Sequence, residues 1–283
     1  MRLLILGGNG MAGHMIKEFF SNKKQYEVYW TQRHPLPNHS NCFFLDVKKT
    51  TETKKLLEKV KPDVVINATG ILNDAARKNL QDAIHVNSLL PHLLAEWSHD
   101  YQYYLMHIST DCVFSGSKGK YTETDEKDGS SVYAQTKSLG EILDGKNLTV
   151  RTSIIGPELK DGIGLFHWFM QQEKVTQGFR RVFWNGLTTL ELAKAIEQLL
   201  DSKLSGLIHL TGNRFISKYE LLLLLNEIFA RGIKIVPDDQ FHSDKSILMT
   251  RDDVPYQPVS YEQMLTELKE WIKKRPSLYQ YDL

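Results

Sequence analysis

Tyr133 and Lys137 stand four residues apart in the run Tyr133-Ala-Gln-Thr-Lys137, a spacing that puts both side chains on one helix face, one turn apart. A tyrosine phenol left alone holds its proton to about pH 10, roughly three units too tightly for exchange at neutral pH. A lysine ammonium one turn away favours the phenolate and is expected to bring that value down. Shortly before lies a strand end reading His107-Ile-Ser109-Thr110-Asp111. A hydroxyl from Ser109 or Thr110 would hold a substrate carbonyl oxygen against the phenol. These residues supply a proton donor and an oxygen clamp but no electron source, and for that the start of the chain matters.

Leu3-Leu4-Ile5-Leu6 reads as a short buried strand, followed at once by Gly7-Gly8-Asn9-Gly10-Met11-Ala12-Gly13 and a helical pattern through Phe20. Strand, glycine turn and helix is the order in which backbone N–H groups at a helix N-terminus hold a pyrophosphate. The spacing is Gly-x-x-Gly-x-x-Gly, not the commoner Gly-x-Gly-x-x-Gly, and a plain tight turn is the competing reading. Position after the first strand favours a dinucleotide, with Gly7, Asn9, Gly10, Met11 and Gly13 as its contacts. His14 reads as a helix-surface residue.

The second strand, Glu27 to Trp30, runs into Thr31-Gln32-Arg33-His34. An Asp or Glu there would accept the ribose 2′-OH of NAD. None is present, and Arg33 would instead meet a 2′-phosphate bidentately. NADPH is therefore the expected cofactor and NADH the alternative; a solvated loop cation is the bland reading of Arg33. Phe43 to Leu45 forms a third strand whose end, Asp46-Val47, would reach the adenine ring. A fourth, Val64 to Ile66, ends at Asn67-Ala68-Thr69-Gly70, where small residues let a cofactor backbone pass close. Ala68, Thr69 and Gly70 join the cofactor set with Ser109, Tyr133 and Lys137. A helix from Asp82 to His99 carries Asn87, which is counted with the cofactor contacts and either steadies the neighbouring strand ends as a buried amide or lies at the surface. Tyr103 to Ile108 is the fifth strand.

Strands alternating with helices at this rhythm predict an α/β chain with a doubly wound, Rossmann-type parallel sheet and right-handed crossovers. Its ligands belong at the carboxyl ends of the strands, where the glycine turn, Arg33, Gly70 and Thr110 all fall. After a sixth strand, Leu148 to Thr152, the rhythm fails. Residues 1–156 are expected to form the dinucleotide-binding domain, with 187–212 returning to it, and 157–186 and 213–283 a smaller substrate lobe. Ser217 and Glu220 form a capping-box pattern for one helix of that lobe.

The formal charge of +1 across 283 residues, without long like-charge runs, gives no footprint for nucleic acid or a polybasic membrane patch. The two cysteines, Cys42 and Cys112, are too few for a disulfide framework. No His-x-x-x-His or Cys-x-x-Cys pair occurs, so no metal site is expected. The initial apolar run is too short for a signal peptide, and no stretch approaches the roughly 20 apolar residues of a membrane span. The expectation is a cytoplasmic protein; a homodimer is possible, and the sequence leaves the oligomeric state open.

Gly7-x-x-Gly10-x-x-Gly13, Asn67-Ala-Thr-Gly70, Asn87, Ser109-Thr110-Asp111 and Tyr133-x-x-x-Lys137 together resemble the extended short-chain dehydrogenase/reductases. Within them, Ser109-Thr-Asp-Cys-Val-Phe-Ser-Gly116, Tyr121-Thr-Glu123, Tyr133 to Glu141 and Arg151-Thr152-Ser153 look like the dTDP-4-dehydrorhamnose reductase group of sugar-nucleotide 4-keto reductases. The resemblance covers the first 156 residues and thins beyond Pro157. It implies a nicotinamide cofactor and reduction of the 4-keto group of a nucleotide-linked 6-deoxyhexose, in cell-surface polysaccharide biosynthesis. Carried over by motif, Thr110 matches the catalytic hydroxyl, Tyr133 the acid and Lys137 its partner, and Asp111 joins the substrate contacts.

Ile71-Leu-Asn-Asp74 and the Phe- and Trp-rich stretch from Gly162 to Gly186 depart from that group's pattern. A UDP-linked 4-keto-6-deoxy-N-acetylhexosamine therefore stands beside dTDP-4-dehydrorhamnose as substrate. Trp184 would stack on the base and Arg180 or Arg181 would neutralise the diphosphate; a core tryptophan and solvated arginines are the competing readings. Two rivals share the scaffold. One is an epimerase or dehydratase, the latter needing an acid beside the catalytic hydroxyl, as Asp111 is. The other is a non-catalytic NADP-binding regulatory subunit like that of methionine adenosyltransferase.

Overall fold

A computed structural model describes residues 1–33, 39–159, 162–281 and 283; His34 lies outside the described residues. In chain order the first half runs β1 (Arg2–Leu6), α1 (Met11–Ser21), β2 (Glu27–Gln32), β3 (Cys42–Phe44), α2 (Thr50–Val60), β4 (Val64–Asn67), α3 (Asn73–Lys78), α4 (Leu80–Ala83), a π-helical turn (Ile84–Leu89), α5 (Leu90–Asp100), β5 (Tyr104–Thr110), α6 (Val132–Leu139) and β6 (Leu148–Thr152). The second half runs β7 (Ile154–Ile155), α7 (Leu165–Met170), β8 (Val175–Phe179), β9 (Val182–Trp184), β10 (Leu187–Thr188), α8 (Thr189–Ser202), β11 (Gly206–His209), β12 (Ile216–Ser217), α9 (Lys218–Ile228), β13 (Lys234–Asp238), β14 (Ser243–Asp244) and α10 (Tyr261–Lys273).

Seven strands form one sheet in the order β11-β6-β5-β4-β1-β2-β3, and every pair in it is parallel. Because β1 to β3 grow to one side and β4 to β6 to the other, the order reverses between β1 and β4. That is the place where such a sheet opens a ligand crevice beyond its strand ends. β11 pairs with β6 from Gly206↔Leu148 to His209↔Arg151, at the sheet edge.

Residues of β1, β4 and β5 alternate between two cores. Leu3, Ile5, Val64, Ile66, Met106 and Ile108 face the core that includes α1, α8 and the later elements. Leu4, Leu6, Val65 and Leu105 face a smaller core against α2 and α5. Helices covering both faces explain why these strands read as continuous apolar runs. Outside the large sheet, β13 lies parallel to β8, β9 is flanked by β12 and β14, and β10 pairs with β7.

The helix expected over Asp82 to His99 is broken by the π-helical turn that contains Asn87. Pro91 has no N–H to give the carbonyl four residues back, that of Asn87. Gly140 fills the approach to that carbonyl: a Cβ on it would stand 1.9 Å from the Asn87 oxygen. The two segments therefore lock Asn87 beside the helix carrying Tyr133 and Lys137.

Candidate active site

β1 ends into Gly7, whose φ of +84° is a left-handed conformation that favours glycine. The Gly10 N–H closes the turn on the Gly7 carbonyl at 2.9 Å. A Cβ on Gly13 would stand 2.1 Å from that same oxygen, so only glycine lets the first turn of α1 rest on the loop. α1 starts after Gly10 with no side-chain cap and no acid in its first turn, which leaves its positive dipole end suited to an anion.

Beyond this turn opens a cavity of about 350 Å³. Gly7, Asn9 and Gly10 form one wall, Ala68, Thr69 and Gly70 a second, and Arg33, Asp46 and Val47 the far end. These nine of the expected cofactor contacts thus share one crevice. Leu45, Lys48, Ile71, Asp82 and Val86 also line it and were not legible as contacts. Lys48 reaches across to Asp82 at 2.9 Å and lies 3.8 Å from Asp46. Met11 turns elsewhere, its Cε against Gly164, and Gly13 serves the turn from beneath. Asn87 is fully buried. Its amide accepts from the Ile71 N–H and donates to the Ile71 carbonyl, both at 2.9 Å, and to Thr136 Oγ1 at 3.0 Å. It joins the β4 end to the Tyr-Lys helix, the steadying alternative of its two readings, and its amide is spent on Ile71 and Thr136 rather than on the cofactor contact expected of it. His14, expected at the surface, is instead fully buried. Its ring lies 3.0 Å from the Gly10 carbonyl and 3.1 Å from the Tyr279 hydroxyl, and burial lowers its pKa to about 4. Apolar packing by the C-terminal segment reaches the back of the glycine turn, a contact no local pattern announces.

Thr110 ends β5, accepting at Oγ1 from the Cys112 N–H at 3.1 Å and donating to Asp111 Oδ1 at 3.2 Å. The Tyr133 hydroxyl lies beside the Thr110 side chain, with the Asp111 carboxyl and the Cys112 thiol nearby. Ser109, one residue earlier, points to the other side and donates to Glu141 Oε1 at 2.8 Å. Of the two hydroxyls, that of Thr110 is the one on the phenol's side, and the Ser109 hydroxyl, expected at the cofactor, is spent on Glu141. α6 begins with a Ser131 side-chain cap on the Ala134 N–H, which fixes the helix one residue-pair before Tyr133.

Lys137 is 3% exposed. Its Nζ donates to the Ile108 carbonyl at 2.8 Å and lies 3.2 Å from His107 Nε2. Burial holds it down to about 8, against an opposing pull from Glu141. The expected lowering of the Tyr133 pKa does not appear. Burial pushes the phenol well above its ordinary value, and Cys112 and Asp111 push the same way, while Thr110 opposes. The physical reason is that the lysine points down to the β5 backbone and the phenol sits in a desolvated corner beside the Asp111 carboxyl.

Beneath lies a buried charge network. Arg151 donates to both Glu141 oxygens, at 2.9 and 2.7 Å, and its Nη1 lies 2.7 Å from His209 Nε2. Burial alone would raise the Glu141 pKa; the Arg151 hydrogen bonds and charge, Lys127 and Ser109 hold it low. Asp111 is 5% exposed, its pKa raised by burial and pulled back by Lys245 and Lys218. Lys218 opens α9, where a cation opposes the helix dipole. That mismatch was the available signal for it. Its ammonium stands 4.9 Å from the Trp184 ring centre, and burial lowers it to about 8, with Asp111 opposing.

Two substrate expectations meet a different placement. Trp184 is 4% exposed, packed in the core with its ring 5.7 Å from that of Tyr261, so no open face remains for a base. Arg180 is exposed and spends its guanidinium on Asp239. Arg180 and Trp184 thus take their packing and surface readings. Among the described residues no group of His, Cys, Asp and Glu could hold a metal, and no helix is long and apolar enough to cross a membrane.

Comparison with known proteins agrees with this arrangement. The family model described as RmlD substrate binding domain matches residues 1–237. A dTDP-4-dehydrorhamnose reductase of Aggregatibacter actinomycetemcomitans is 32% identical over 158 residues, 54% of this chain and 51% of that protein. The chain thus spans about half the length of the reductase it matches in sequence. Methionine adenosyltransferase 2 subunit beta of Rattus norvegicus is 24% identical over 252 residues, 81% of this chain and 72% of that one. Among solved structures, a dTDP-4-dehydrorhamnose reductase from Clostridium acetobutylicum superposes with a TM-score of 0.80 at 25% identity, covering 96% of this chain and 100% of that one. A glycine turn at a Rossmann crevice, the Thr110–Tyr133–Lys137 set at its β5 edge and the matched family model agree: the chain belongs to the RmlD substrate binding domain family.

Proposed function

We propose that this chain is an NADPH-dependent reductase of the 4-keto group of a nucleotide-linked 4-keto-6-deoxyhexose. The observation that carries the reading is the placement of Tyr133 beside Thr110 at the end of β5, with Lys137 one turn on, in the sheet whose switch point holds the glycine-lined crevice. The glycine cradle, which a Cβ at residue 13 would fill, and the uncapped start of α1 fit a dinucleotide pyrophosphate. Arg33 at the far end of the crevice, with no acid in Thr31-Gln32-Arg33, fits a 2′-phosphate. A structural neighbour, the dTDP-4-dehydrorhamnose reductase from Bacillus anthracis, was solved in complex with NADP.

The reduced nicotinamide supplies hydride to the ketone carbon when bound. Thr110 holds the carbonyl oxygen, and Tyr133 gives that oxygen its proton. A phenol held above its ordinary pKa keeps its proton in the resting site, and it transfers that proton as negative charge develops on the oxygen. Lys137 anchors the helix of Tyr133 to the end of β5 through the Ile108 carbonyl and so sets where the phenol stands. Lys218 and Lys245, facing Asp111 from α9 and the segment after β14, would take the substrate diphosphate in place of Arg180. Both dTDP-4-dehydrorhamnose and a UDP-4-keto-6-deoxy-N-acetylhexosamine present that group.

The test is NADPH oxidation against a panel of dTDP- and UDP-linked 4-keto-6-deoxy sugars. The reading requires stoichiometric oxidation with at least one of them, and silence across the panel would remove it. A second reading, a non-catalytic NADP-binding regulatory subunit, draws on the longer match to methionine adenosyltransferase 2 subunit beta. Tight NADP binding, co-purification with a larger enzyme and no oxidation of NADPH would favour it.

A further inference from the structure

His107 is fully buried one strand-end below the reacting groups, and the proposed reaction gives it no task. Its two ring nitrogens face two nitrogens: Asn67 Nδ2 lies 3.1 Å from Nδ1, and Lys137 Nζ lies 3.2 Å from Nε2. The orientation of Asn67 is fixed by a backbone group that can only donate. The Thr69 N–H points at Asn67 Oδ1 at 3.2 Å, and the Thr69 hydroxyl donates to the same oxygen at 2.6 Å. The amide nitrogen is therefore what faces the ring, and it donates to Nδ1. A neutral imidazole carries one proton, and complete burial keeps His107 neutral. With Nδ1 accepting, the proton sits on Nε2 and points at Lys137. A lysine ammonium has no lone pair with which to meet it, whereas a neutral amine accepts from Nε2 and still donates to the Ile108 carbonyl at 2.8 Å.

We propose that His107 is a positioning residue for Lys137: its tautomer, locked by Asn67, holds the lysine on the β5 backbone and favours the neutral amine. The inference deepens the reductase reading and rests on it for its catalytic meaning, because a lysine poised near neutral pH sets the alkaline edge of turnover. Other groups act on the same amine. Glu141, beyond the end of α6, favours the ammonium but is already paired with Arg151 and Lys127. Tyr133 stands one turn away on the same helix. His92 of α5, whose ring lies 2.7 Å from the Leu139 carbonyl, adds to the lowering of His107.

Two measurements on the chain alone test this, so their failure is separate from failure to find a keto-sugar substrate. Nitrogen NMR of His107, assigned by its loss in His107→Gln, is expected to show a neutral ring protonated on Nε2 once Lys137 has lost its proton, above about pH 8. A ring protonated on Nδ1 overturns the proposal. Carbon NMR of Lys137 Cε then follows the lysine titration in the wild type and in Asn67→Ala, which keeps the ring but frees it to carry its proton on Nδ1. The titration is expected to move upward by about one pH unit in that variant, the worth of one hydrogen bond. An unmoved or lowered titration overturns it.

Discussion

Replacing Lys137 by Met should change the pH dependence of stability in a direction that follows from burial. In the folded chain Lys137 is held down from 10.5 to about 8, with desolvation as the main cause. At about 1.4 kcal/mol per pH unit this amounts to roughly 3 kcal/mol against folding while the ammonium is required. Below pH 8 the lysine is charged in both states, and the full penalty is present. Between about pH 8 and 10.5 the native lysine is neutral while the unfolded chain still binds the proton, so wild-type stability rises relative to the variant. Above 10.5 neither state is charged and the penalty is gone. Methionine removes the titration altogether, at the constant expense of leaving the Ile108 carbonyl without its donor, about 1–3 kcal/mol. The variant is therefore expected to equal or exceed the wild type at pH 7 and to fall behind it by pH 10. Urea midpoints at pH 7, 8.5 and 10 for both proteins read the difference. Its expected size over that range is roughly 2–3 kcal/mol. Parallel stability curves would show that Lys137 keeps an ordinary pKa and would refute the reasoning about its burial.

Tyr133→Phe should lower kcat by about 10²–10⁴-fold with cofactor affinity retained, as read by turnover and dinucleotide titration. Arg33→Ala should reduce the preference for NADPH over NADH by roughly ten- to hundredfold, measured as the ratio of the two kcat/KM values. Gly13→Ala places a methyl 2.1 Å from the Gly7 oxygen and is expected to weaken dinucleotide binding by at least about tenfold, the effect of shifting the turn. Glu141→Gln leaves the Arg151 guanidinium, itself 1% exposed, without its carboxylate. It should destabilise the fold by about 3–5 kcal/mol in urea.

Where contacts are local, the sequence was a sufficient guide. The apolar runs of β1, β4 and β5 announce strands buried on both faces, and the glycine turn follows β1 directly. Tyr133 and Lys137 share a helix face because of backbone geometry alone. What stayed hidden depends on contacts far apart in the chain. His14 looks like a surface residue until Tyr279, 265 positions later, covers it. Trp184 has the composition of a ring awaiting a base, and only its packing on Tyr261 shows otherwise. The expected electrostatic coupling from Lys137 to Tyr133 assumed that proximity along a helix fixes direction. In the fold, the lysine is turned to Ile108 and His107. Ser109 and Thr110 were interchangeable as sequence, and strand alternation with the buried Glu141 separated them.

The central claim is that Tyr133 and Thr110 hold a ketone while a reduced dinucleotide gives it hydride. The most direct measurement is label transfer from NADPH deuterated at the transferable position of the nicotinamide ring, followed by mass spectrometry of the sugar nucleotide. The account predicts one deuterium in the product, at C4, for each NADPH oxidised. A product without deuterium, or conversion with no net NADPH oxidation, would contradict it.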